Sequence, residues 1–262
     1  MWTRLGRAAR IVPILLVLAC GRTQERAAPR ADAARPLGPA GMPADSFPAP
    51  SRPVASIVTD TWSSESARDT AREARRVMDL LQVRPGMTVA DVGAGSGYYT
   101  VRLSPRVGPR GRVIAQDIMP RYLERLGARV RRDSLRNVTL ALGQPHDPRL
   151  APASADLVLL VHMYHEVEQP YAFLFNLRPA LRPGGRVAVV DLDRPTNRHG
   201  TPVPLLRCEL AAAGYEPAGF HDLGGGSGYL AVFRPTAGPA PRPGAIRPCP
   251  APADTARAGR KP

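Results

Sequence analysis

The chain has 262 residues, 44% of them hydrophobic, with 30 prolines and a formal net charge of +14. That length holds one sizeable core with tails or two small domains, and the apolar fraction excludes a wholly disordered chain. The charge does not make a nucleic-acid binder: residues 1–53 carry eight Arg against three acidic residues, residues 235–262 carry five basic residues against one, and no basic run is interleaved with aromatics.

Arg4, Arg7 and Arg10 form a positive start, followed by the apolar run IVPILLVLA (11–19), which is too short to span a bilayer. The run ends at VLAC, and Val17, Ala19 and Cys20 resemble the lipobox of bacterial lipoproteins. The resemblance implies a signal peptide over 1–20, cleavage before Cys20, lipid on its thiol, and an exported, membrane-anchored bacterial protein at the periplasmic face or outer membrane. An unused signal would leave the chain cytoplasmic. Residues 21–53, rich in Pro and Ala, read as a disordered tether, 54–234 as the ordered domain, and 235–262 as a disordered Pro-rich tail. Two more cysteines, Cys208 and Cys249, fall in a helix and in that tail; an oxidising compartment permits a bridge, but a disordered tail does not favour one.

From residue 66 onward, helical and strand patterns alternate. Apolar Val77, Leu80 and Leu81 recur at helical spacing within 66–83, and the apolar run 87–93 reads as a buried strand. Helix 98–108 has Pro105 near its end; strand 111–118, helix 120–135 opening on Pro120, strand 138–143 and strand 155–163 follow. Helix 169–181, strand 185–193 and helix 204–215 lead to strands 216–223 and 228–235, joined by a Gly-rich turn as an antiparallel pair. Short apolar runs alternating with amphipathic helices make βαβ units, so the expected fold is α/β: a Rossmann-like, doubly wound, mostly parallel seven-stranded sheet with an antiparallel C-terminal strand.

In such a sheet, ligands bind outside the carboxyl ends of the strands. At the end of the first strand stands ADVGAGSGYYT (90–100), with Gly93, Gly95 and Gly97 at alternate positions. Missing side chains let backbone approach a ligand, and the helix that follows offers unpaired N–H groups. Asp117, twenty residues after Gly97, ends the second strand, where a carboxylate can accept from two vicinal ribose hydroxyls. The pattern describes a nucleoside-type cofactor. The dinucleotide fingerprint G-x-G-x-x-G fails in both registers, because Tyr98 and Thr100 occupy its third glycine, which counts against a dehydrogenase.

These residues resemble class I S-adenosylmethionine-dependent methyltransferases, most closely the small bacterial type 11-like ones. VADVGAGSGYYT is similar to their first motif, VIAQD to the second-strand acid, ADLVLLVHMYHEV to the fourth strand and its loop, and LRPGGRVAVVDLD to the turn and fifth strand. The likeness covers about 77–234. It implies S-adenosylmethionine as cofactor, with Asp91, Gly93, Gly95 and Gly97 cradling its aminocarboxypropyl end, Asp117 on the ribose, and Gln144 or Asp147 near the adenine. It also implies transfer of a methyl group to a small-molecule or lipid-like acceptor, with no nucleic acid involved. After the fourth strand, His165, then His162, then Glu166 are the candidates for a base or acceptor contact. No second ligand cluster accompanies His162, Tyr164 and His165, so no metal is expected. The stretch 194–204 leaves little room for a cap over the acceptor pocket. A lipid-anchored binding module that kept the fold without turnover is the alternative.

Overall fold

A computed structural model of the chain describes residues 1–2, 34–57, 64–224 and 226–250. The expected signal segment with Cys20, and residues 251–262, lie outside them. All elements below belong to the unit that begins at Asp32. Seven strands, β1 Thr88–Val92, β2 Arg112–Asp117, β3 Val138–Leu142, β4 Ala155–Val161, β5 Leu181–Asp191, β6 Tyr215–Asp222 and β7 Tyr229–Pro235, form one sheet in the order β3-β2-β1-β4-β5-β7-β6. The strands from β3 to β5 pair in parallel, and β7 runs antiparallel to both neighbours, as the sequence leads one to expect.

The strands read as unbroken apolar runs because both sheet faces are covered. Val113 and Ala115 of β2 pack toward α3 (Tyr98–Val107) and α4 (Pro120–Arg132), whereas Ile114 between them packs on the side of α5 (Pro170–Leu177) and α6 (Val203–Ala212). The same alternation divides Leu157 and Leu159 from Val158 and Leu160 along β4.

The expected helix over 66–83 is instead two helices, α1 Glu65–Thr70 and α2 Glu73–Leu80, broken where Arg72 adopts φ 53°. Arg102 holds Asp69 at 2.5 Å and Arg129 holds Glu65 at 2.5 Å, so α1 turns across the start of α3. Ion pairs of this kind have no periodicity for a sequence to display. The fifth strand starts earlier than expected, at Leu181, with a register irregularity before Arg186 at the Pro-Gly-Gly.

Both tails are corrected in part. Residues 34–53 are no disordered tether: they run along the domain, with Phe47 buried edge-on against Phe175 and Leu142 N–H donating to Arg35 O at 3.1 Å. Arg52, its side chain wholly buried, donates to Glu209 at 2.8 Å and to the carbonyl of Val167 at 3.0 Å. Residues 235–250 also dock. Ile246 and Cys249 are buried, Cys249 N–H donates to the Tyr171 hydroxyl at 2.7 Å, and Cys249 is disulfide-bonded to Cys208 on α6. Composition suggested disorder, but a few anchors suffice to hold Pro-rich backbone that has little conformational entropy to lose.

Removing one partner from a buried ion pair strands the other charge. Arg52→Ala is therefore expected to lower stability by about 3–5 kcal/mol in urea denaturation at neutral pH. The double change Arg52→Met with Glu209→Leu should recover most of that loss. An unchanged midpoint in Arg52→Ala would mean that the segment is not docked in solution.

Candidate functional site

Strand order reverses between β1 and β4, and the loops at their carboxyl ends part around a cavity of about 300 Å³. Its wall is built from Gly93, Asp117, Gln144, His162, His165 and Glu166, with apolar cover from Met119, Met163 and Phe173. Such a cavity lies at the small end of the range for ligand sites.

After β1 the chain turns through Gly93, Gly95 and Gly97, with φ of 71°, 53° and 87°, a left-handed region that L side chains avoid. A Cβ at Gly93 would press on the Met163 side chain across the cavity mouth. The Asp117 carboxylate closes this loop, accepting from Gly95 N–H at 2.9 Å and from Met119 N–H at 2.9 Å. Burial raises the Asp117 pKa despite those donors. Asp91, also expected in the cradle, braces the strand that leads into it. It is 3% exposed, stands outside the cavity wall, and accepts from the Thr100 hydroxyl at 2.6 Å, so it ties β1 to α3. Burial pushes its carboxyl up to about 6, against the pull of that hydroxyl.

Gln144 and Asp147, both expected near the adenine, differ in their surroundings. Asp147 is buried and occupied, accepting from Gly41 N–H at 2.8 Å and Arg149 N–H at 2.9 Å, while Gln144 lines the cavity.

On the opposite wall stands the loop after β4. His165, 3% exposed, points Nδ1 at both Asp191 oxygens, at 3.0 and 3.1 Å. The fully buried Asp191 also accepts from the Thr201 hydroxyl at 2.7 Å and Leu192 N–H at 2.9 Å. A carboxylate only accepts, so Nδ1 carries a hydrogen, and in the neutral ring the lone pair lies on Nε2. Asp191 ends β5 inside VVDLD, which was read only as a strand; an acid closing an apolar strand was the signal. His162, with φ 50°, sits nearer the glycine loop, its Nε2 3.8 Å from Glu73. Glu73 is gripped by Arg68 at 2.6 Å and by the Tyr99 hydroxyl at 3.0 Å. Arg68 also reaches the cavity wall and lies 3.9 Å over the Tyr98 ring. Burial works to raise the Glu73 pKa, but the nearby His162 and the hydrogen bonds and charge of Arg68 win, holding it at about 2.

The docked N-terminal segment supplies the cap for which 194–204 left little room. Ala55, Ser56 and Ile57 line the cavity, and Ala55 N–H donates to the His165 carbonyl at 3.2 Å. His199, beyond β5, completes the wall, its ring 5.5 Å from that of His165. Burial, then the neighbouring His165 and Arg194, lower the His199 pKa. Among the described residues, no helix is long and apolar enough to cross a membrane.

Residues 89–185 match the family described as a methyltransferase domain. An uncharacterised 37.1 kDa transposon protein of Streptomyces fradiae is 36% identical over 126 residues, covering 48% of this chain and 36% of that one. Protein-L-isoaspartate O-methyltransferase of Methanothrix thermoacetophila is 32% identical over 111 residues, covering 42% of this chain and 50% of the relative. The chain thus spans half or less of the length of these relatives. A SAM-dependent methyltransferase structure from Aquifex aeolicus superposes with a TM-score of 0.57 at 23% identity, over 65% of this chain and 97% of that one, a likeness of fold. Residues 89–185 are thus similar to a methyltransferase domain, and the sheet around them shares its fold with a methyltransferase structure.

A carboxyl whose pKa falls from 4.5 to about 2 on folding stabilises the fold above pH 4.5, and that contribution is lost as pH drops toward 2. Glu73→Gln should therefore lower stability at pH 7 by about 3 kcal/mol, with the gap to the parent closing between pH 4.5 and 2 in urea titrations. A gap independent of pH would show that the Glu73 charge does not hold the site.

Proposed function

We propose that the chain is an S-adenosylmethionine-dependent methyltransferase that acts on a small molecule bearing a hydroxyl, thiol or amine. The observation that carries this reading is one cavity that joins Gly93, Asp117 and Gln144 on its β1–β2 side to His165 on its β4 side.

The residues suit the cofactor. Glycine backbone at Gly93 can lie against a ligand, Asp117 can exchange its backbone donors for ribose hydroxyls, Gln144 can meet an adenine edge, and Arg68 brings a cation for a carboxylate. When bound, S-adenosylmethionine supplies an electrophilic methyl on a sulfonium that is already a good leaving group. The protein's task is then to position, desolvate and remove a proton. Asp191 holds the His165 ring in one orientation and leaves the Nε2 lone pair for the proton of the acceptor. Ile57, Met163 and Phe173 exclude water and favour an acceptor with an apolar body. His162 and Glu166 flank the same space.

We also infer that the protein works outside the cytoplasm, anchored through Cys20. The positive start and lipobox-like end of residues 1–20 support this, and the Cys208–Cys249 disulfide suits an oxidising compartment. Radiolabelled palmitate is expected to label the chain in a bacterial host and to fail with Cys20→Ser. Labelling of neither would place the protein elsewhere.

Calorimetry of the purified chain with S-adenosylmethionine should show 1:1 binding. Asp117→Ala should weaken it about 10–100-fold, the worth of charged hydrogen bonds. A folded parent that binds neither S-adenosylmethionine nor its demethylated product would overturn the methyltransferase reading.

A further inference from the structure

One cluster at the cavity has donor chemistry of which the proposed transfer uses only His165. A donor atom from each of His165, Glu166 and His199 lies within 4.8 Å of the others, and all three residues line the cavity. We propose that His165, Glu166 and His199 form a site for a divalent transition-metal ion of the zinc class, placed where the acceptor binds.

Two imidazoles and one carboxylate are a borderline donor set that suits zinc, and three protein ligands leave a position open for a substrate atom. The second-sphere partner of such a site is also in place. Ligating histidines commonly give their other ring N–H to a carboxylate, which fixes the tautomer and raises the basicity of the ligating nitrogen. Asp191 does this for His165, with its own oxygens held by Thr201 and Leu192. The three candidates come from two loops braced by the same docked segment. Ala55 N–H bonds the His165 carbonyl, and the Thr196 hydroxyl bonds the Pro53 carbonyl at 2.6 Å, three residues before His199. The Arg194 guanidinium donates to the His199 carbonyl at 3.1 Å, so the backbone of that loop is fixed from its other side as well. Zinc donors about 2.0–2.1 Å from the ion stand about 3.3 Å apart in a tetrahedron, so the side chains would close by about 1.5 Å or less. No spacing in the chain announces this set, because His199 lies on a different loop from the adjacent His165 and Glu166.

Resting on the methyltransferase reading, the ion narrows the acceptor to a hydroxyl or thiol. Coordination lowers the acceptor's pKa and its proton passes to solvent. Its oxygen or sulfur bonds the methyl carbon as the sulfonium carbon–sulfur bond breaks, and the electron pair stays on the departing sulfur. In that state His165 is a ligand, and the ion takes over the removal of the proton.

The test needs no methyl donor. The full chain, stripped with chelator, is titrated calorimetrically with Zn²⁺ alone. The expected result is one ion per chain at micromolar Kd or tighter, lost by at least 100-fold in His199→Gln and in Glu166→Gln, weakened about 10–100-fold in Asp191→Asn, and unchanged in His162→Gln. Circular dichroism of each variant confirms folding. No binding by the parent, or binding that persists in both His199→Gln and Glu166→Gln, overturns the metal site. S-adenosylmethionine binding by the same samples then tells whether the transferase reading survives without it.

Discussion

The reversal of strand order between β1 and β4 is the constraint on which the site depends. Parallel strands on either side send their connections to opposite faces, so nothing fills the gap above their carboxyl ends. Into that gap the β1 side brings backbone and a carboxylate, and the β4 side brings imidazoles. The glycine loop can lie flat there because three residues accept left-handed backbone and because Asp117 spends both oxygens on the amides of Gly95 and Met119. The same carboxylate that orders the empty loop is thus placed to exchange donors when a polyol arrives.

The imidazole side rests on a second buried carboxylate. A buried acid must have its lone pairs satisfied, and Asp191 does so through His165, Thr201 and its neighbouring amide. The chain of contacts continues outward, since the Tyr229 hydroxyl donates to the Thr201 carbonyl at 2.7 Å, tying β7 to the loop that orients Asp191. The antiparallel part of the sheet therefore reaches the site without touching the cavity. From the other direction, the docked segment 34–57 holds the His165 loop through Ala55 and, through Arg52, the carbonyl of Val167. The cap is built from chain that precedes the sheet instead of from an insertion within it.

What the sequence displayed and what it hid divide along a physical line. The sheet was legible because apolar runs and helical periodicity are local, and the glycine turn with Asp117 closing it because a turn and its acid stand a fixed distance apart in the chain. Asp191, His199 and Arg68 were not legible as site residues, because each comes to the cavity through tertiary packing. Residues 34–53 and 235–250 were misread for a related reason. Their composition is poor in apolar side chains, yet Phe47, Arg52, Ile246 and Cys249 each find a deep position. A count of residue types cannot see that four anchors are enough. Asp91, a motif residue expected in the cradle, braces β1 against Thr100.

The most direct measurement is a crystal structure of the chain with the demethylated product, S-adenosylhomocysteine. The account predicts the ligand in the cavity between β1 and β4, its ribose hydroxyls on Asp117, its adenine beside Gln144 and its sulfur facing His165. A ligand bound elsewhere, or Asp117 still engaged only with Gly95 and Met119 in a saturated crystal, would contradict it.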